Sequence, residues 1–300
     1  MYLVRPPRKD LSHVLSSRSP VPTCVLGSSQ EEPVVSGGHD PDRYAEMGSF
    51  TKVVTATVLQ RLAEQGVVGF DDPVERWLGV PAGTGITLRH LAGHTPGLPR
   101  VPPGIRRFDP YRGFSDERLR TLLSGADRLV TSPPGEQEEY SNLGYAVLGA
   151  ALTAAAGRSY MELVAEHVLA PLGLPDEAMV VVPPRHSRSL PTRFFGRSAT
   201  PWTMTGAILP AGGLWASPRI MARVLTGLVV DRALGEPALG WQRTGPLPLI
   251  WHNGGTGTAS MFAGALPDGR WTVVHRLCTA YDETDRAGLE YLRAAGPRPE

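Results

Sequence analysis

Lysine is almost absent from this 300-residue chain. Arginine supplies nearly all of the 30 basic residues, and Lys9 and Lys52 are the only lysines. Coding preference explains the bias, yet it makes Lys52 conspicuous as a position where an amine was kept. Cysteine is equally scarce. Cys24 and Cys278 are too few for a disulfide framework, and their spacing fits no zinc or redox motif. Both lie in apolar, strand-like segments, so buried free thiols are expected, with a Cys24–Cys278 bridge left open. Long apolar runs are missing too. The longest, near 145–156, falls far short of the roughly 20 residues that span a bilayer. The N-terminus carries positive charges with no apolar stretch behind them, unlike a secretory signal, so a cytoplasmic location is expected. A formal charge of +1 gives no electrostatic case for nucleic acid or for a membrane surface. No phosphate loop or dinucleotide fingerprint follows a strand, and no Gly-x-Ser-x-Gly elbow occurs. His90 and His94 have the spacing of a zinc pair but lack the accompanying glutamate, and they read as structural.

The elements that are present divide by position. A hairpin is predicted from two β-rich runs, 21–27 and 33–37, around a polar turn. Val54, Val58, Leu59 and Leu62 place an apolar stripe on a helix over 50–65 that stops at Gly66. Short helical pieces (88–93, 116–124) punctuate a Pro/Gly/Arg-rich stretch. Helices follow at 143–156, 160–169 and 218–229. Strands are predicted at 247–253, 259–265 and 270–277, and a closing amphipathic helix at 283–294. Strands at both ends with helices between them predict an α+β architecture: a sheet lobe from 1–75 and 205–300, and a mostly helical inserted lobe over 76–204, with a site between them.

Three short segments carry chemistry. In Ser49-Phe50-Thr51-Lys52 the serine opens a helix, and a lysine three residues on shares its face. A serine hydroxyl needs a base to become a nucleophile, and a nearby lysine supplies one. The helix N-terminus favours a developing oxyanion. The plain alternative is an N-cap serine. In Tyr140-Ser141-Asn142 the first and third residues point the same way if the segment is extended. Tyr140 as a phenolate would take the serine proton, and Asn142 would hold the lysine and donate to a substrate carbonyl. The alternative is an N-cap Asn142 and a core Tyr140. Finally, Trp251-His252-Asn253-Gly254-Gly255 closes a strand. Its glycines suggest close backbone approach, and an edge there would offer N–H groups to an oxyanion hole; a glycine-rich bend with a surface histidine is the alternative.

Together these segments resemble the serine β-lactamase-like family, in particular its class C branch. Ser-x-x-Lys, Tyr-x-Asn and a basic residue followed by x-Gly occur in that order. The resemblance extends to 134–145, to His94-Thr95-Pro96-Gly97-Leu98 and to Gly212-Gly213-Leu214, and runs from about residue 21 to 280. It implies a β-lactamase/transpeptidase-like fold. By that resemblance Ser49 matches the acylated nucleophile, Lys52 its activating amine, Tyr140 the general base and Asn142 the partner of lysine and substrate. His252 takes the place of the third-motif basic residue, followed by Gly254, and the Gly255 N–H would join the Ser49 N–H in the oxyanion hole.

One departure redirects the function. The third motif reads His-Asn-Gly where β-lactamases have Lys-Thr-Gly. A histidine is mostly neutral at pH 7, and relatives with histidine there tend to be esterases, D-aminopeptidases or transacylases. The leading expectation is therefore a hydrolase acting on an ester or amide of a small molecule through acyl-Ser49. The alternatives are a transacylase that passes the acyl group to an amine or alcohol, and a non-catalytic binding relic. No metal or organic cofactor is required. Arg100, Arg106, Arg107 and Arg112 in one loop, and Arg185, Arg188, Arg193 and Arg197 in another, read either as solvated surface or as a rim that receives a substrate carboxylate or phosphate.

Overall fold

A computed structural model of the chain describes residues 21–191, 198–244 and 248–295. In chain order its elements begin with β1 (Thr23–Gly27), β2 (Val34–Ser36), β3 (Ala45–Glu46), α1 (Thr51–Glu64), α2 (Leu88–Ala92) and α3 (Asp116–Leu123). They continue with α4 (Asn142–Ala156), α5 (Tyr160–Val164), α6 (Leu209–Gly212), β4 (Trp215–Ala216) and α7 (Pro218–Leu225). The chain closes through β5 (Gln242–Arg243), β6 (Ile250–Gly255), β7 (Ser260–Ala265), β8 (Trp271–Arg276) and α8 (Tyr281–Ala294).

The main sheet is antiparallel in the order β2-β1-β8-β7-β6-β5. Its centre joins the two ends of the chain: β1 pairs with β8 from Thr23↔Arg276 to Gly27↔Thr272. Side chains divide between the faces with the period of two that a strand imposes. Val25, Val274 and Phe262 turn toward α8, where Tyr291 and Leu292 cover them. Cys24, Leu26, Met261, Ala263 and Val273 turn the other way into the main core. That core runs without a break through α1, α4, α5, α6 and α7, so residues of the sheet half and of the helical middle share one apolar interior.

The helices end where their sequences require. Ser217 caps α7 by accepting from the Ile220 N–H, with Pro218 in the first turn. Gly157 ends α4 in the left-handed conformation at φ 64°. From Thr51 to Leu59 α1 is buried on every side. Its polar side chains are satisfied: Thr55 Oγ1 lies 2.7 Å from both the Pro210 carbonyl and the Tyr160 hydroxyl. Among the described residues no helix is long and apolar enough to cross a membrane.

Several elements differ from the sequence reading. The helices expected over 160–169 and 218–229 each end in a wider turn, at Ala165–Leu169 and Thr226–Val230. β3, β4, β5 and α6 were not expected, since elements of two to four residues carry no readable periodicity. β6 runs on through both glycines to Gly255, while residue 247 of the expected strand lies outside the described residues. Both cysteines are free; Cys24 is buried in β1, and burial pushes its thiol up to about 12. Cys278 is only half-buried and sits in the bend after β8 rather than in a strand.

Candidate active site

Ser49 lies in a single 3₁₀ turn, Gly48–Phe50, that runs directly into α1. The serine is not a cap: Phe50 occupies the N-cap position of α1 and makes no side-chain capping bond. Its hydroxyl points instead at Lys52, whose Nζ lies 3.1 Å from Ser49 Oγ. Lys52 is fully buried. Its Nζ donates to Asn142 Oδ1 at 2.7 Å and to the Ala211 carbonyl at 2.6 Å. Burial, aided by the charge of Arg100, holds the amine well below its ordinary range.

Asn142 is the first residue of α4, and Ser141, not Asn142, is its N-cap, accepting from the Gly144 N–H at 2.8 Å. The helix start fixes Asn142 as a partner of lysine. Its Nδ2 donates to the Tyr111 hydroxyl at 2.6 Å, so one of its two amide hydrogens is already used. Tyr140 lies across the lysine, with Nζ 4.7 Å from the ring centroid. Burial raises the Tyr140 hydroxyl above its ordinary range, against a hydrogen bond with Ser49 and the charge of Arg100, which both lower it. The resting phenolate expected from the sequence is therefore disfavoured, because a desolvated phenol keeps its proton.

The third segment closes the other side. Gly48 has φ 51°, and a methyl group there would lie 2.7 Å from the Gly255 nitrogen. A methyl group on Gly254 would lie 2.1 Å from the Met47 carbonyl. Glycine at both places lets the serine turn and β6 meet backbone to backbone. β5 pairs only with Ile250 and Trp251, so along 252–255 β6 keeps β7 on one edge and turns its other edge to the serine turn.

His252 is neither exposed nor cationic. It is 1% exposed, its Nδ1 lies 2.5 Å from the Asn253 carbonyl, and its buried Nε2 has no partner. Burial, with the charge of Lys52, lowers it to about 3. Asn253 turns away from the serine and donates to Asp285 Oδ2 at 2.7 Å.

Four participants escaped the sequence reading. His94, set aside as structural, stacks on Tyr140 with ring centroids 4.5 Å apart, and its Nδ1 accepts from the Ser141 N–H. Its backbone φ of 60° is unusual for a residue other than glycine. Tyr111 binds Asn142, and the Ala211 carbonyl binds Lys52. Glu46 is buried at the end of the site, where Thr256 and Thr258 both donate to its carboxyl group, and burial raises it to about 7. His94 lies in a segment of the family resemblance but its spacing points to zinc, and the others have no signal, since a backbone carbonyl, a lone carboxylate or a lone tyrosine in a loop has no signature. Beside the cluster lies a cavity of about 260 Å³ lined by Glu46, Arg188, Trp202, Met204, Gly212 and Trp215, among others.

Of the loop arginines, Arg100 stacks over Tyr140, while Arg106, Arg107, Arg112 and Arg185 are exposed. Arg188 lies over Trp215, and Arg193 and Arg197 fall outside the described residues. Among the described residues no cluster of His, Cys, Asp and Glu is arranged to hold a metal ion.

D-alanyl-D-alanine-carboxypeptidase/endopeptidase AmpH of Escherichia coli K12 is 33% identical over 188 residues, 61% of this chain and 48% of that protein. Esterase EstB of Burkholderia gladioli is 32% identical over 163 residues, 48% of this chain and 40% of that protein. The chain thus spans about half the length of the curated relatives it matches. A β-lactamase/D-alanine carboxypeptidase from Yersinia pestis has the same fold, with a TM-score of 0.75 at 24% identity, covering 91% of this chain and 92% of that one. A class C β-lactamase from Rhodobacter sphaeroides gives 0.69 at 19% identity, covering 91% and 94%. The family model for Beta-lactamase matches residues 29–295, so with its α+β, β-lactamase/transpeptidase-like fold the chain belongs to the Beta-lactamase family.

Proposed function

We propose that this protein is a serine hydrolase that cleaves an ester or amide of a small molecule through an acyl-Ser49 intermediate. One observation carries the reading, the set of contacts around Lys52 Nζ. Two of its three neighbours, Asn142 Oδ1 and the Ala211 carbonyl, can only accept hydrogen bonds. A neutral amine has two N–H groups and one lone pair. With both N–H groups given to those oxygens, the lone pair is left for the Ser49 hydroxyl at 3.1 Å. Burial, which lowers the amine well below its ordinary range, favours that neutral form.

Acylation then follows. Ser49 Oγ attacks the substrate carbonyl carbon while its proton passes to Lys52 Nζ. The negative charge that develops on the carbonyl oxygen is received by the N–H groups of Ser49 and Gly255, a reading supported by the close backbone approach of the serine turn to β6 at Gly48. When the tetrahedral adduct collapses, the Tyr140 hydroxyl gives its proton to the leaving oxygen or nitrogen, and the Lys52 ammonium replaces it. Both groups are then neutral again. Water repeats the sequence against the ester, and Ser49 recovers its proton. Histidine in the third motif and the likeness to an esterase among the curated relatives favour an ester or simple amide over a β-lactam.

Brief exposure to p-nitrophenyl butyrate followed by intact-protein mass spectrometry tests this. The wild type is expected to gain one butyryl group and Ser49→Ala none. Acylation that persists in Ser49→Ala would place the nucleophile elsewhere.

A further inference from the structure

We infer that Arg100 is an oxyanion-binding subsite at the mouth of the Ser49 cleft, and that the substrate carries a carboxylate close to its scissile bond. This deepens the acyl-Ser49 reading and rests on it.

The position of Arg100 is fixed from the site itself. The Pro99 carbonyl accepts from Ser141 Oγ at 2.8 Å, and the Arg100 carbonyl accepts from the Asn142 N–H at 2.8 Å. The stem of the side chain is therefore anchored to the turn that presents Tyr140 and Asn142. From there the guanidinium reaches over Tyr140, with its carbon 5.2 Å from the ring centroid. Lys52 Nζ lies 4.7 Å from the same centroid. One tyrosine ring thus gathers two basic groups.

Among the described residues no carboxylate pairs with either. Arg89, Arg76, Arg219 and Arg270 are each paired with an aspartate. Arg100 is exposed and makes no ion pair among the described residues. Glu136, Glu138 and Glu139 lie just ahead of Tyr140 in the chain, and none of them bridges to it. Its charge reaches the reacting groups: with burial it lowers Lys52 and His94, and it works against the burial that raises Tyr111 and Tyr140. The third motif adds no cation, since His252 is buried and neutral and Asn253 is tied to Asp285.

An exposed guanidinium placed over a ring 5.2 Å away, with no carboxylate partner among the described residues, keeps its fork of N–H donors available. A planar carboxylate fits such a fork with two parallel hydrogen bonds. Aromatic stacking alone would explain the ring contact, but it would not make turnover depend on substrate charge.

The test compares matched esters. One pair is p-nitrophenyl butyrate and its analogue with a carboxylate on the nitrophenyl ring. The other is the p-nitrophenyl ester of adipic acid as free monoacid and as methyl ester. In Arg100→Gln the ratio of kcat/KM for the charged over the neutral member is expected to fall tenfold or more in at least one pair, mainly through KM. Arg100→Lys should restore part of it, and Arg120→Gln, an exposed arginine on α3, should leave it as in wild type. Ratios within twofold of wild type in both pairs would overturn the subsite. An Arg100-dependent preference for a phosphonate analogue over the carboxylate would overturn the choice of carboxylate. If wild type is not acylated even by the neutral ester, the acyl-Ser49 reading is what fails. Equilibrium dialysis of the carboxylated nitrophenol product against wild type and Arg100→Gln then still decides the subsite: tighter binding to wild type supports it, and equal binding removes it.

Discussion

At the scale of single residues, Lys52 decides what Ser49 can do. An amine buried without an anionic partner costs less when neutral, and the neutral form is the one that accepts a proton. This has a measurable sign. Between its lowered native value and the ordinary 10.5, the unfolded chain holds a proton on this lysine that the folded chain has given up. Unfolding therefore takes up a proton, and stability rises with pH across the window between the lowered native value and the ordinary 10.5. Lys52→Met removes that dependence. Denaturant unfolding at pH 7, 8 and 9 should show the difference, wild type minus variant, growing with pH by up to about 1.4 kcal/mol per unit. A flat difference would mean that Lys52 is charged in the native state. The same variant should lose acylation activity by about a thousandfold or more, as expected for a removed general base.

At the scale of elements, the proposed oxyanion geometry depends on the junction of the serine turn with β6. A side chain at Gly254 would run into the Met47 carbonyl, which is backbone and has nowhere to yield. Gly254→Ala should therefore push β6 away from Ser49. We expect at least a hundredfold loss in kcat with KM changed less, since one misplaced oxyanion donor costs about that much. Overpacking should add about 1–3 kcal/mol of destabilisation. Steady-state kinetics with denaturant melts would check both, and near-wild-type turnover would remove β6 from the mechanism. The glycines were visible in the sequence. Which backbone they admit was not, because Met47 and Gly254 are more than two hundred positions apart and meet only when β6 docks on the turn.

At the scale of the whole molecule, the interior holds unusual titratable groups. Burial lowers His94, His252 and His275 to about 3 and His39 to about 4. In the unfolded chain each would protonate near 6.5. Their contribution to stability is thus present above pH 6.5 and is lost as pH falls toward their native values. Glu46, raised to about 7, acts the other way: between its ordinary 4.5 and 7 the native state holds a proton that unfolding releases. The imidazoles outnumber it, so unfolding near pH 5 should take up about three protons, and stability should fall by about 4 kcal/mol per pH unit there. Melts between pH 7 and 4.5 measure this, and a stability independent of pH over that range would show that these rings are protonated or hydrated in the native state.

The sequence by itself determined the α+β class, the long helices, the central strands and the four polar side chains Ser49, Lys52, Tyr140 and Asn142. Those signals are local: apolar periodicity, caps and short motifs are written within a dozen residues. Tertiary structure alone decided the surroundings of those side chains. Lys52 is lowered well below its ordinary range because the core surrounds it, His252 is buried because β6 turns it inward, and Asn142 is oriented by Tyr111 from a loop thirty-one positions earlier. It also decided that the Ala211 carbonyl meets Lys52, that His94 stacks on Tyr140 and that Arg100 reaches over the same ring. Desolvation and contact are properties of the packed chain, and no residue carries them until its distant neighbours are in place.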